Sequence, residues 1–232
     1  MSAYRILPGS SLPLLAGLVF AAAVPATASA QSFDFTFGVA SENIGKGLGK
    51  SDGEPSVSGE VELGHGDFYA TLSASTVDIA QGADTEIVAG VGYAPEIGAY
   101  KFDFSAVQKT LSGAPAGYDN RFMEYQADMS RAVGPVGLRM RVNYSPDSSG
   151  GTEEAWWVEL QGGVAVGARS RATIALGERT QNGQQAYVAW NAGVKHKLTD
   201  KFALDVRWYD TDSHELGERD DGRLVAALTF AL

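Results

Sequence analysis

Hydrophobic and polar residues alternate along this chain with a period of two. In Lys201-Phe202-Ala203-Leu204-Asp205-Val206-Arg207-Trp208 the even positions are large and apolar, and the odd ones are charged or small. Successive side chains of a β-strand point to opposite faces, so the pattern predicts a strand with one greasy and one polar face. It returns in Val136-Gly137-Leu138-Arg139-Met140-Arg141-Val142-Asn143-Tyr144, in Tyr100-Lys101-Phe102-Asp103-Phe104-Ser105, in Ser56-Val57-Ser58-Gly59-Glu60-Val61-Glu62-Leu63 and in Phe33-Asp34-Phe35-Thr36-Phe37-Gly38-Val39. No helical stripe matches it.

Turn residues divide the chain into twelve predicted strands, at 33–44, 55–64, 67–77, 85–94, 99–109, 121–132, 135–145, 154–165, 168–178, 185–197, 201–211 and 222–232. Each is about ten residues long, enough to cross a hydrocarbon core at the usual tilt. The connections alternate. Tight turns at 65–66, 95–98, 133–134, 166–167 and 198–201 separate longer polar loops at 45–54, 78–84, 110–120, 146–153, 180–184 and 211–221. Outer-membrane barrels have short periplasmic turns and longer external loops. An even strand count then puts both mature termini in the periplasm and the 45–54 and 211–221 loops outside. Aromatic residues sort the same way: Phe33, Phe68, Tyr93, Tyr100 and Phe202 at the short-turn ends, Tyr144, Trp156 and Trp208 at the long-loop ends. Such girdles suit a bilayer interface.

The predicted fold class is therefore all-β, a closed antiparallel up-and-down transmembrane β-barrel of about twelve strands. The alternative is a soluble periplasmic β-sandwich. Its apolar face would be a packed core of branched side chains, and its loops would follow no length rule.

Residues 1–30 read as an address and not as part of the fold. Arg5 is the one charge, the stretch 12–24 is apolar apart from Pro13 and Gly17, and Ala28-Ser29-Ala30 has the small-x-small form of a cleavage site. This predicts a signal peptide at 1–30, a barrel domain at 31–232 and Gln31 as the new N-terminus. The whole chain carries 18 Lys+Arg and 28 Asp+Glu, net −10; loss of Arg5 leaves 17 against 28, net −11. That balance argues against nucleic acid as a partner. The absence of cysteine means that no disulfide framework supports the exported chain. A mean hydropathy of −0.10 looks soluble, yet in a barrel only alternate residues face lipid, so each strand averages to neutral.

Four stretches resemble the TorF-family porins, a family of proteobacterial outer-membrane proteins. They are Gly49-Lys50-Ser51-Asp52-Gly53-Glu54-Pro55, Asn143-Tyr144-Ser145-Pro146-Asp147, Ala189-Trp190-Asn191-Ala192-Gly193-Val194 and Tyr209-Asp210-Thr211-Asp212, spread over most of the mature chain. None is a catalytic motif. The chain departs from the family at Ser41-Glu42-Asn43-Ile44-Gly45-Lys46-Gly47, where members usually carry an aromatic-and-arginine segment, and at its last residues, Phe230-Ala231-Leu232, where members often end in Phe. The resemblance implies a porin for passive diffusion of small hydrophilic solutes. It would contact outer-membrane lipid and lipopolysaccharide and be inserted by the outer-membrane assembly machinery.

With apolar faces turned to lipid, the opposite faces define a lumen. Its candidate selectivity residues are Glu60, Glu62, Lys101, Asp103, Glu124, Asp128, Arg139, Arg141, Glu159, Arg171, Lys195, Asp205, Arg207 and Arg223, with Gln126 and Gln161 on the same face. Acids concentrate on the second to sixth predicted strands and bases on the seventh to twelfth, which would set a transverse field across a narrow pore. Alternatively, these side chains pair with one another and fill the barrel. A barrel hydrolase would need a nucleophile beside a histidine base. His65 falls in a short turn, His196 near a strand end and His214 in a long loop, none beside a convincing Ser and acid, so an enzyme is not expected. The acidic run Asp210, Asp212, Glu215, Glu218, Asp220 and Asp221 lacks the ligand spacing of a calcium-binding loop. Gly45, Gly47 and Gly49 precede no helix and read as a flexible external loop, not a phosphate cradle. No cofactor is expected. The competing function is a structural or adhesive barrel that conducts nothing.

Overall fold

The computed structural model describes residues 31–213 and 219–232, so the expected signal peptide lies outside the described residues. Among those residues are twelve long strands: β1 (Gln31–Ala40), β2 (Ser56–His65), β3 (Phe68–Ile79), β4 (Ala83–Tyr93), β5 (Tyr100–Ser112), β6 (Arg121–Val133), β7 (Val136–Ser145), β8 (Ala155–Ala165), β9 (Ser170–Gln181), β10 (Tyr187–Lys197), β11 (Phe202–Thr211) and β12 (Arg223–Ala231). Each pairs antiparallel with the next. The sheet closes where β1 meets β12, from Thr36 opposite Ala231 to Ala40 opposite Ala227. Closure leaves no edge strand with unpaired backbone groups. The fold is the closed up-and-down barrel that the alternation predicts.

Two connections differ from expectation. The loop placed at 78–84 shrinks to residues 80–82, because β3 and β4 keep pairing past an irregularity between Thr76 and Ile79. The reversal is taken by Ala80, Gln81 and Gly82, with φ of 54°, 62° and 121°. The second difference is larger. β1 stops at Ala40 and not at 44, and the chain that follows turns inward instead of outward.

Exposure alternates along each strand, and it is the apolar face that is exposed. Leu160, Ile174 and Leu224 are more than half exposed, while Glu159, Ala175 and Val225 beside them are buried. A soluble sandwich would bury the other face. Aromatic pairs bracket the apolar band. Phe68 stands opposite Tyr93 with ring centroids 4.7 Å apart at the short-turn end, and Tyr144 opposite Trp156 at 4.4 Å at the long-loop end.

Inside, the apolar packing sits at the long-loop end in two clusters. One joins Ala40, Ile44, Tyr209, Val225 and Ala227; the other joins Trp157, Tyr187 and Ala189, with Leu48 against them. Trp157 lies flat over Gly177 of β9, where a Cβ would strike the indole. Each cluster contains one residue of the 41–55 segment. That segment therefore belongs to the interior.

Candidate functional site

Residues 41–55 form a miniature hairpin inserted into the long-loop end of the barrel. Ile44–Gly45 pairs with Leu48–Gly49, and the tip is Lys46-Gly47, with φ of 53° and 88°. Positive φ at both central positions is the mark of a type I′ two-residue hairpin turn. At the base, Asn43 is wholly buried. Its Nδ2 donates to Ser75 Oγ and to the Thr76 carbonyl of β3, both at 3.2 Å, and its backbone N–H donates to Ser51 Oγ at 2.9 Å. At the tip, the Tyr187 hydroxyl donates to the Lys46 carbonyl at 3.0 Å. Arg219 Nε donates to the Gly49 carbonyl at 3.0 Å, and Arg223 pairs with Glu42 at 2.6 Å. Gly47 touches Ala189 so closely that a Cβ there would fall on its methyl group. The hairpin is thus fastened to β3, β8, β10 and β12. The expectation of a flexible external loop at 45–54 is corrected: Ile44 and Leu48 are apolar residues beside a turn, and they dock on the barrel's inner wall.

The hairpin also brings two charges. Lys46 Nζ pairs with Glu124 of β6, and Lys50 Nζ with Glu86 of β4. Lys109 of β5 reaches the other oxygen of Glu124 at 2.9 Å. Arg179 of β9 stands near enough to repel Lys46. Burial pushes the Lys46 ammonium down to about 7, with Glu124 opposing the shift and Lys109 and Arg179 adding to it. Burial lowers Lys50 as well, against the pull of Glu86. Of these six residues only Glu124 was read from the sequence as a candidate. Glu86 and Lys109 lie on the inward register of their strands, and Arg179 lies just past a strand end placed too early.

Below this cluster, the candidates Asp128, Arg139, Arg141 and Glu159 form one paired group. Arg141 grips Asp128 with two bonds, Nε to Oδ1 at 2.8 Å and Nη2 to Oδ2 at 2.6 Å. Arg139 Nη2 donates to Glu159 Oε1 at 2.5 Å. All four are buried. Arg207 donates to Asn191 Oδ1 at 2.7 Å and to Asp205 Oδ2 at 3.2 Å, and Asn143 donates to Glu124 and Gln126. The acidic and basic sides thus meet at β6 to β8 and neutralise each other.

Toward the short turns the interior is more open. Glu60, Glu62, Asp103, Arg171 and Asp205 are half-buried, and Lys195 is exposed. Asp103 accepts from the Tyr69 hydroxyl at 2.7 Å, and Arg171 donates to the Gly163 carbonyl at 3.1 Å. Lys101 pairs at 2.5 Å with Glu96, in the two-residue strand Glu96–Ile97 of the β4–β5 turn. Arg171 and Lys195 are directly opposed across β9 and β10, with Asp205 next to Lys195. Arg223 sits apart from the rest, at the mouth.

His196 lies beside a serine: its Nδ1 is 2.8 Å from Ser170 Oγ, in an exposed cross-strand pair. His214, Glu215 and Glu218 lie outside the described residues. Asp212 Oδ1 accepts from the Val188 N–H, and no group of acids and histidines among the described residues could hold a metal ion.

The barrel is similar to solved outer-membrane channels. It aligns with the NanC porin at TM-score 0.58 and 9% identity, covering 85% of this chain and 97% of that one. The KdgM porin aligns at 0.58 and 6% identity, covering 85% and 98%. An outer-membrane channel from Pseudomonas putida F1 aligns at 0.50 and 13%, covering 84% and 94%. At these identities the likeness concerns the fold. No curated protein matches the sequence. A family model described as a bacterial protein of unknown function, Gcw_chp, matches residues 24–225.

Proposed function

The chain belongs to the Gcw_chp family of bacterial proteins of unknown function, and from its geometry we propose that it is an outer-membrane channel for passive diffusion of small hydrophilic solutes. The observation that carries this is the inversion of the molecule. Its continuous apolar face points outward and its charges point inward, which suits a lipid exterior and a polar passage. The likeness of four segments to TorF-family porins supports the same reading. We take the short turns and both termini to be periplasmic and the hairpin to lie at the external mouth, with lipid and lipopolysaccharide outside.

In this reading the half-buried charges of the periplasmic half form a vestibule, and the hairpin level is the constriction. The KdgM porin has been solved with an oligogalacturonate, a polyanion. Arg171 and Lys195 line this vestibule and would suit acidic groups on a solute. A non-conducting structural barrel is favoured by one specific observation, the burial of Asp128, Arg139, Arg141 and Glu159 in pairs that leave little room for solute. Conductance of the purified, refolded protein in planar bilayers separates the two. Discrete steps in salt support the channel, and silence even after the hairpin is shortened supports the structural barrel.

A further inference from the structure

We propose that Lys46 and Lys50, carried into the barrel by the hairpin, set the channel's ion preference and set it toward anions; the inference rests on the channel reading above. At this level the wall alone supplies Glu86, Lys109, Glu124 and Arg179 from β4, β5, β6 and β9. Those charges balance. The hairpin adds two ammonium groups to the cluster, while Glu42 at its base is held by Arg223 and the segment's other acids, Asp52 and Glu54, are exposed. Four cationic side chains then stand against two carboxylates.

Exposure reinforces the imbalance. The Glu124 and Glu86 side chains keep 8% and 3% of their surface, whereas Lys46, Lys50 and Lys109 keep 17%, 14% and 15%. The lysines cover the carboxylates, so the charge that meets water is positive. Uncompensated charge in a narrow, low-dielectric passage is weakly screened and governs which ions enter. The paired layer beneath has no such excess, because Arg141 is matched by Asp128 and Arg139 by Glu159. The filter therefore lies on a loop, and the wall arginines hold the barrel together.

Reversal potentials of the folded protein in a potassium chloride gradient test this. The wild type is expected to favour chloride. The Lys46→Gln/Lys50→Gln variant is expected to lose that preference several-fold while keeping the heat-modifiable gel mobility of a folded barrel. A variant with residues 43–51 replaced by a short Gly-Ser link should conduct more and discriminate less. Cation preference in the wild type, or an unchanged preference in the double variant, overturns the proposal. So does a silent wild type beside a conducting shortened variant: the hairpin would then be a plug, and the channel reading would survive. Silence of both removes the channel reading and this proposal together.

Discussion

Lys46 carries the clearest pH signature of any side chain in the hairpin. Free in water its ammonium would titrate near 10.5, and inside the barrel it is pushed down to about 7 by burial. Between those values the docked hairpin binds fewer protons than an undocked one, so docking strengthens as pH rises through that window and is at its weakest, with no further change, below about 7. The groups facing Lys46 are Glu124 of β6, Lys109 of β5, Arg179 of β9 and the Tyr187 hydroxyl of β10. Loss of its proton leaves Lys109 as the cation paired with Glu124, beside the amide of Asn143. Chloride preference is thus expected to fall as pH is raised from about 6 to about 9, and Lys46→Gln is expected to flatten that profile. A steep profile retained in the variant would assign the titration elsewhere. Arg141 makes a different demand. Its bidentate grip on Asp128 is buried, so Arg141→Gln strands a carboxylate, which typically costs about 3–5 kcal/mol. Urea unfolding in lipid vesicles should show that loss, and Asp128→Asn in the same chain should recover most of it.

At the scale of elements, the hairpin and the strands were unequally legible. The strands repeat one code, an apolar outer face against an inner face that is mostly polar or small, with Trp157, Tyr187, Tyr209 and Val225 as inward exceptions near the long loops. Thr36, Glu60 and Ser73, which face one another across β1, β2 and β3, obey the same parity. The hairpin has no such repetition. Its only local signals are Lys46-Gly47 between Ile44 and Leu48, and its position is decided by partners far along the chain: Glu86, Glu124, Tyr187 and Arg223. Counting charges by strand also hid the pairing of Arg141 with Asp128, because neighbours in register cancel even when each belongs to a different half. The hairpin's seat can be tested at its tightest contact. Gly47 combines a φ of 88° with no room beside Ala189, so Gly47→Val is expected to expel the tip and raise conductance. Trypsin should then cut at Lys46 or Lys50 far faster than in the wild type. Gly53→Ala shares the positive φ of 76° but meets open space, and should leave both readouts nearly unchanged. Equal behaviour of the two variants would mean that the hairpin is not held by that contact.

For the whole molecule, the roles of constriction and vestibule depend on which end faces the cell exterior. Twelve strands return the chain to its starting end, so Gln31 and Ala231 share the end of the short turns. Those turns are tight: Gly66 and Gly134 reverse the chain with φ of 63° and 57°, leaving little to protrude. The opposite end carries the connections at 113–120, 146–154, 182–186 and 212–222, and the hairpin closes beneath them. Outer-membrane barrels keep short turns in the periplasm and longer loops outside, so the long-loop end is expected to face the cell exterior. An epitope inserted after Gly117, where the surroundings are open, should be detected by antibody on intact cells. The same epitope after Gly134, also in open space, should be detected only once the outer membrane is permeabilised. The reverse result would turn the barrel over. The vestibule of Glu60, Asp103, Arg171 and Lys195 would then face the medium, and solutes leaving the periplasm would be the ones to meet Lys46 and Lys50 first.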